Sequence, residues 1–133
     1  MSDFETAVGN LRSGFHGEVF TPRDNGYDSA RAVWNAMIDR RPGLIARCRG
    51  AGDVIGAVKF ARAQGLPVAI RGGAHNVAGH AVCDDGVMID LSLMRSVRVD
   101  PDARRADVEG GAIWADVDRA TQAYGLVTPG GLI

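Results

Sequence analysis

The side chains best equipped for chemistry gather in one stretch, Arg71-Gly72-Gly73-Ala74-His75-Asn76-Val77-Ala78-Gly79-His80. Its glycines open backbone angles closed to other residues and let a ligand lie against the main chain. Successive free N–H groups in such a loop make a concavity for anions, phosphate above all. An imidazole at position 75 would stand beside whatever that concavity holds. Arg71 could add charge near a phosphate or serve only a surface ion pair, and Asn76 could bond the phosphate or hold the turn. Gly79 suits close approach of a ligand, and His80 serves a structural hydrogen bond or a ligand contact. A second chemistry is open to the same neighbourhood. His75, His80, Cys83 and Asp84 or Asp85 are ligand types that suit zinc, although their spacing matches no closed structural zinc pattern and leaves the glycines without a purpose.

Flanking sequence supplies the frame for these residues. Pro67-Val68-Ala69-Ile70 and Val87-Met88-Ile89-Asp90 are short apolar runs that read as strands on either side of the loop. Upstream, residues 44–48 read as a strand with Cys48 as a small buried hydrophobe. Gly50-Ala51-Gly52 turns the chain, and Asp53 is placed to cap a helix marked by Val54, Ala57, Val58 and Ala61 and stopped at Gly65. Gly50, Gly52 and Gly56 lack the spacing of a dinucleotide-binding fingerprint, and no P-loop ending is present. Strand, helix and strand form a βαβ unit with parallel strands. That puts the loop at the carboxyl end of a parallel strand, where open α/β sheets bind ligands.

Residues 96–99 and 105–108 alternate polar with apolar around the turn Asp100-Pro101-Asp102-Ala103 and read as an antiparallel hairpin. Ile113, Val117, Ala120, Thr121 and Tyr124 mark a helix closed by Gly125, and residues 126–128 begin another strand. At the start, Ser2 and Glu5 fit a capping box, Phe4, Val8 and Leu11 share a helical face, and Gly14 ends the helix. Residues 30–38 read as a short helix with Val33, Trp34 and Met37 or Ile38 inward, ended by a solvated Arg40-Arg41 pair. The fold class is α+β: a small parallel βαβ layer beside the start of an antiparallel sheet with helices.

The stretch from Val68 to Gly79, followed by Ile89-Asp90-Leu91-Ser92, resembles the pyrophosphate loop of FAD-linked oxidases. The family is that of vanillyl-alcohol oxidase and p-cresol methylhydroxylase, and the closer match is its berberine-bridge-enzyme-like branch. The resemblance implies an FAD-binding domain of p-cresol methylhydroxylase type with FAD as cofactor. In that branch the loop reads Arg-(Ser/Gly)-Gly-x-His, and the histidine, matched by His75, bonds the flavin's 8α-methyl carbon. A neutral imidazole nitrogen is then the nucleophile. The N–H groups of residues 72–76 would hold the pyrophosphate. Cofactor contacts are implied at Arg71, Gly72, Gly73, Ala74, His75, Asn76, Gly79, His80, Pro129 and Gly130, and in residues 89–91.

The resemblance further implies an oxidase that moves a hydride from a substrate C–H, often at an alcohol carbon, to flavin N5, with oxygen as acceptor. Sugars, alkaloids and phenolic compounds are candidate small-molecule substrates. Members of the family continue into a second flavin loop and a substrate domain, and their catalytic base, often a tyrosine, lies near the far end. No residue here matches that base, so none is assigned as catalytic, and the 133-residue chain alone is expected to be inactive. Residues 1–39 are expected to form an amino-terminal helical and irregular segment. Residues 40–133 are expected to form the amino-terminal part of the FAD-binding domain, ending before the second flavin loop.

Composition narrows the field without choosing a function. The chain has 15 Lys plus Arg against 16 Asp plus Glu, so no basic excess argues for nucleic acid. No apolar run approaches membrane-spanning length. Two distant cysteines suggest no disulfide framework, and a cytoplasmic location is the expectation. Oligomeric state is left open. A metal-binding module, or a non-catalytic module without flavin, is the alternative to an FAD-linked oxidoreductase.

Overall fold

The computed structural model describes residues 2–131. The chain runs α1 (Asp3–Ser13), β1 (Glu18–Phe20), α2 (Tyr27–Arg31), β2 (Leu44–Arg47), α3 (Ala51–Gln64), β3 (Val68–Arg71), β4 (Val87–Asp90), β5 (Val97–Asp100), β6 (Arg105–Val108) and α4 (Trp114–Gln122). A four-stranded sheet has the order β1-β2-β4-β3, and β5 and β6 form a separate two-stranded hairpin. β2 and β3 both run parallel to β4, while β1 is antiparallel to β2. This is the expected α+β class.

The βαβ reading holds in direction but not in adjacency, because β4 inserts between β2 and β3. The reason is burial. All four β4 residues are buried, and they feed both faces of the sheet. Val87 and Ile89 join Leu44, Ala46, Ala57, Phe60 and Val8 under α1 and α3. Met88 joins Ile45, Tyr27, Ala30 and Val82 on the other face. A strand apolar on both sides takes the centre of a sheet. β3 alternates buried with exposed positions and takes an edge.

Local signals placed most ends. The Ser2–Glu5 capping box is closed in both directions, α1 stops at Gly14, and α3 stops at Gly65 with φ +64°. Several expectations fail. Asp53 does not cap α3; Gly50 stands there. The buried Asp53 carboxylate instead accepts the N–H groups of His16, Gly17 and Arg49 at 2.9, 3.0 and 2.9 Å, tying the α1–β1 joint to α3. Val58 is exposed, and Phe60 takes the inward place.

The helix expected over residues 30–38 is also wrong. α2 ends at Arg31, and Trp34 and Met37 are 77% and 90% exposed. Arg31 is drawn to Asp28, Asp39 and the Arg40 carbonyl, and residues 32–40 are committed to contacts across the chain rather than to helical bonds. The strand expected over 126–128 is irregular backbone, since no neighbouring strand pairs with it among the described residues.

Candidate functional site

The loop leaves β3 at Arg71 and returns to the sheet at Val87, at the carboxyl end of a parallel strand as its position in the chain predicts. Within it, Asn76 holds the turn: its Oδ1 accepts the His80 N–H at 2.9 Å and its carbonyl accepts the Gly79 N–H at 3.1 Å. Gly79 has φ +78°, and a Cβ there would lie 2.8 Å from Ile38, so its close approach is to Ile38. Gly72 lies on the hairpin's exit, where a Cβ would meet the Gly110 carbonyl at 2.6 Å. Ala74 is buried and takes φ +61°, a left-handed angle rare for a residue with a side chain.

Four carbonyls of this loop face one neighbouring segment. The Ala74 carbonyl accepts the Trp34 N–H at 3.1 Å, and the Val77 carbonyl accepts Asn35 Nδ2 at 3.3 Å. Arg40 Nη1 donates to the carbonyls of Gly79 and Val82 at 3.0 and 3.1 Å. The N–H groups of residues 72–78, by contrast, donate to no other described residue. Unpaired main-chain donors in succession are an anion-binding arrangement.

His75 is exposed and lies between two concavities. One, of about 960 Å³, is walled by Val99, Arg105, Val108, Ile113, Trp114 and Val127 of the hairpin and α4 side. The other, of about 270 Å³, is lined by residues 72–76, His80 and their neighbours. The imidazole meets Trp34 edge-on, with ring centroids 6.0 Å apart and planes at 85°. A Cβ at Gly73 would come within 3.0 Å of its Cε1, so glycine leaves the ring its room.

The remaining expected site residues are distributed as follows. Arg71 donates Nη1 to the Ala30 carbonyl at 2.6 Å, at the end of α2, and its buried Nε lacks a partner among the described residues. Among the described residues it makes no ion pair. His80 is exposed on the small concavity. Pro129 and Gly130 are exposed, and Gly130 lies so close to Trp114 that a Cβ would overlap its ring. Ile89 and Asp90 are fully buried, with Asp90 bonded to Arg47 and to the Ser92 N–H.

Among the described residues, no group of three or more His, Cys, Asp or Glu is arranged to hold a metal ion. Burial raises the Cys83 thiol above its ordinary range against opposing bonds from Gly86 and Ala69, which disfavours the thiolate that zinc requires. Sequence reading gave Trp34, Asn35, Ile38 and Arg40 no part in the site, placing Trp34 and Ile38 on a helix and Arg40 at its solvated end, yet they touch the loop from far upstream.

The donor arrangement suits a phosphate-bearing ligand. Residues 42–132 match the FAD binding domain family. The chain is 40% identical over 116 residues to (R)-6-hydroxynicotine oxidase of Paenarthrobacter nicotinovorans, covering 87% of this chain and 25% of that protein. It is 36% identical over 117 residues to an uncharacterised FAD-linked oxidoreductase of Bacillus subtilis, covering 88% and 26%. The crystal structure of 6-hydroxy-D-nicotine oxidase from Arthrobacter nicotinovorans superposes with a TM-score of 0.78 at 40% identity, over 84% of this chain and 24% of that one. Aclacinomycin oxidoreductase superposes at 0.74 with 31% identity, over 86% and 24%. The chain thus spans about a quarter of the length of these relatives. Loop, sheet and family match converge: the chain belongs to the FAD-binding domain family of FAD-linked oxidoreductases, and its cofactor is FAD.

Proposed function

We propose that residues 72–79 hold the pyrophosphate of FAD and that His75 carries the flavin covalently. The observation that supports this is the row of N–H groups over residues 72–78 without a partner among the described residues, with an exposed imidazole in its middle. The N–H groups of residues 72–76 would bind the phosphate oxygens, with Gly72 and Gly73 keeping side chains out of the way. Asn76 and Gly79 shape the turn that presents them. Arg71, whose buried Nε lacks a partner among the described residues, and Ala74, with its left-handed backbone, hold the loop's first half. His80, Pro129 and Gly130 would border the cofactor. Residues 40–133 would be the FAD-binding part and residues 1–39 an amino-terminal segment joined to it.

A ring nitrogen of His75 would be the nucleophile, and Trp34 borders the ring edge-on. Bound FAD supplies a hydride acceptor, so the activity inferred for the protein is oxidation of a C–H or alcohol carbon of a small molecule, with oxygen as final acceptor. Relatives named for 6-hydroxynicotine and aclacinomycin support a small organic substrate. No catalytic base is assigned to this chain.

The test is the intact mass and visible spectrum of FAD-loaded protein after acid denaturation. Wild type is expected to keep one FAD and its yellow colour, and His75→Ala to lose both on denaturation. Colour that stays attached to the His75→Ala protein would remove His75 from the role. Colour that leaves the wild type would keep FAD but make it non-covalent.

A further inference from the structure

Residues 32–40 cross the back of the FAD loop and take up four of its carbonyls. Trp34 N–H binds the Ala74 carbonyl, Asn35 Nδ2 the Val77 carbonyl, and Arg40 Nη1 the carbonyls of Gly79 and Val82. Ile38 fills the space a side chain at Gly79 would need, and the Arg71 guanidinium reaches back to Ala30 just ahead of this strap. A trans peptide unit is planar, with its C=O and the following N–H pointing in opposite directions. Anchoring the Ala74 carbonyl to the strap therefore turns the His75 N–H away from it, and anchoring the Val77 carbonyl does the same for the Ala78 N–H. Unanchored, those carbonyls could rotate into the concavity and repel an anion.

We propose that residues 32–40 are the positioning element of the cofactor loop: Trp34 N–H and Asn35 hold back the Ala74 and Val77 carbonyls and so turn the His75 and Ala78 N–H groups outward, while Arg40 fixes the Gly79–Val82 end of the loop and with it the turn that presents them. This rests on the reading that the loop binds FAD. Neither the Asn35 nor the Arg40 side chain is required to touch the cofactor. Arg40 matters more than Asn35, because it is a charged donor that closes two carbonyls, is only partly exposed and ties the turn at Gly79 to Val82.

The experiment measures FAD dissociation constants in a His75→Ala background, where no bond to His75 can mask binding, with thermal melting of the apo proteins alongside. Arg40→Met, which keeps the stem and loses the donors, is expected to weaken FAD about tenfold. Asn35→Ala is expected to weaken it about threefold, and Arg40→Lys, which restores a cationic donor, to recover most of the affinity. A merely structural role would lower the melting temperature without this order or this rescue. Should Arg40→Met fail to fold, Asn35→Ala decides. FAD affinity unchanged in the folded variants would overturn the inference while leaving the FAD reading intact. Absence of FAD binding by the unsubstituted chain would overturn the reading, and the inference with it.

Discussion

Asp53 shows how much one buried carboxylate can organise. It is 2% exposed and accepts three main-chain N–H groups. Burial alone would raise its pKa, but the bonds from Arg49, His16 and Gly17 outweigh burial and hold it below the ordinary 3.8. A carboxylate with a depressed folded-state pKa adds stability above its unfolded value and loses it as pH falls through the folded one. Asp53→Ala is thus expected to cost about 3 kcal/mol at neutral pH, with the gap from wild type closing as pH drops below 3.8. Urea denaturation at a series of pH values measures it. Sequence showed that a carboxylate begins α3; it did not show that the donors would come from residues 16 and 17, because those approach only when α1 packs on α3. Cys48 follows simpler rules: burial first, then the charges of Asp53 and Asp90, push its thiol up to about 12, and it behaves as a core hydrophobe.

Elements were legible where the signal was local. The β5–β6 hairpin, with Val97 opposite Val108 and Asp100 opposite Arg105, follows from alternation around a turn. The 72–86 loop was bracketed by two short apolar runs that became β3 and β4. Illegible were the contacts between elements. Gly72 reads as a flexible loop residue, yet its hydrogen faces the Gly110 carbonyl at the hairpin's exit. Gly72→Ala would force loop and hairpin apart. The expected result is a loss of about 2 kcal/mol in stability, together with weaker FAD binding, read by denaturation and titration. The segment after α2 was misread for the same kind of reason: Val33, Trp34, Met37 and Ile38 have helical spacing, but the bonds offered by Ala74, Val77 and Gly79 come from residues distant in sequence and leave no pattern within the segment.

At the scale of the whole molecule, the sheet with its loop and the hairpin with α4 border one cavity of about 960 Å³, and His75 stands on its rim. A ligand that binds only the folded chain stabilises it by mass action. FAD at one hundred times its dissociation constant is expected to add about 2.7 kcal/mol. Thermal melts with and without FAD check this, and unchanged melting would contradict binding by the loop. No helix among the described residues is long and apolar enough to cross a membrane.

By itself the sequence determined most element types outside residues 15–40 and 126–128, the α+β class, the place of the glycine loop after a parallel strand, and the resemblance that pointed to FAD, since all of these depend on spacing and residue type along the chain. Tertiary structure decided that β4 sits between β2 and β3, that Asp53 binds the α1–β1 joint, and that residues 32–40 brace the loop from behind. Those outcomes depend on which unpaired donors, acceptors and apolar faces meet once the chain has collapsed, and such meetings leave no periodicity to read in advance.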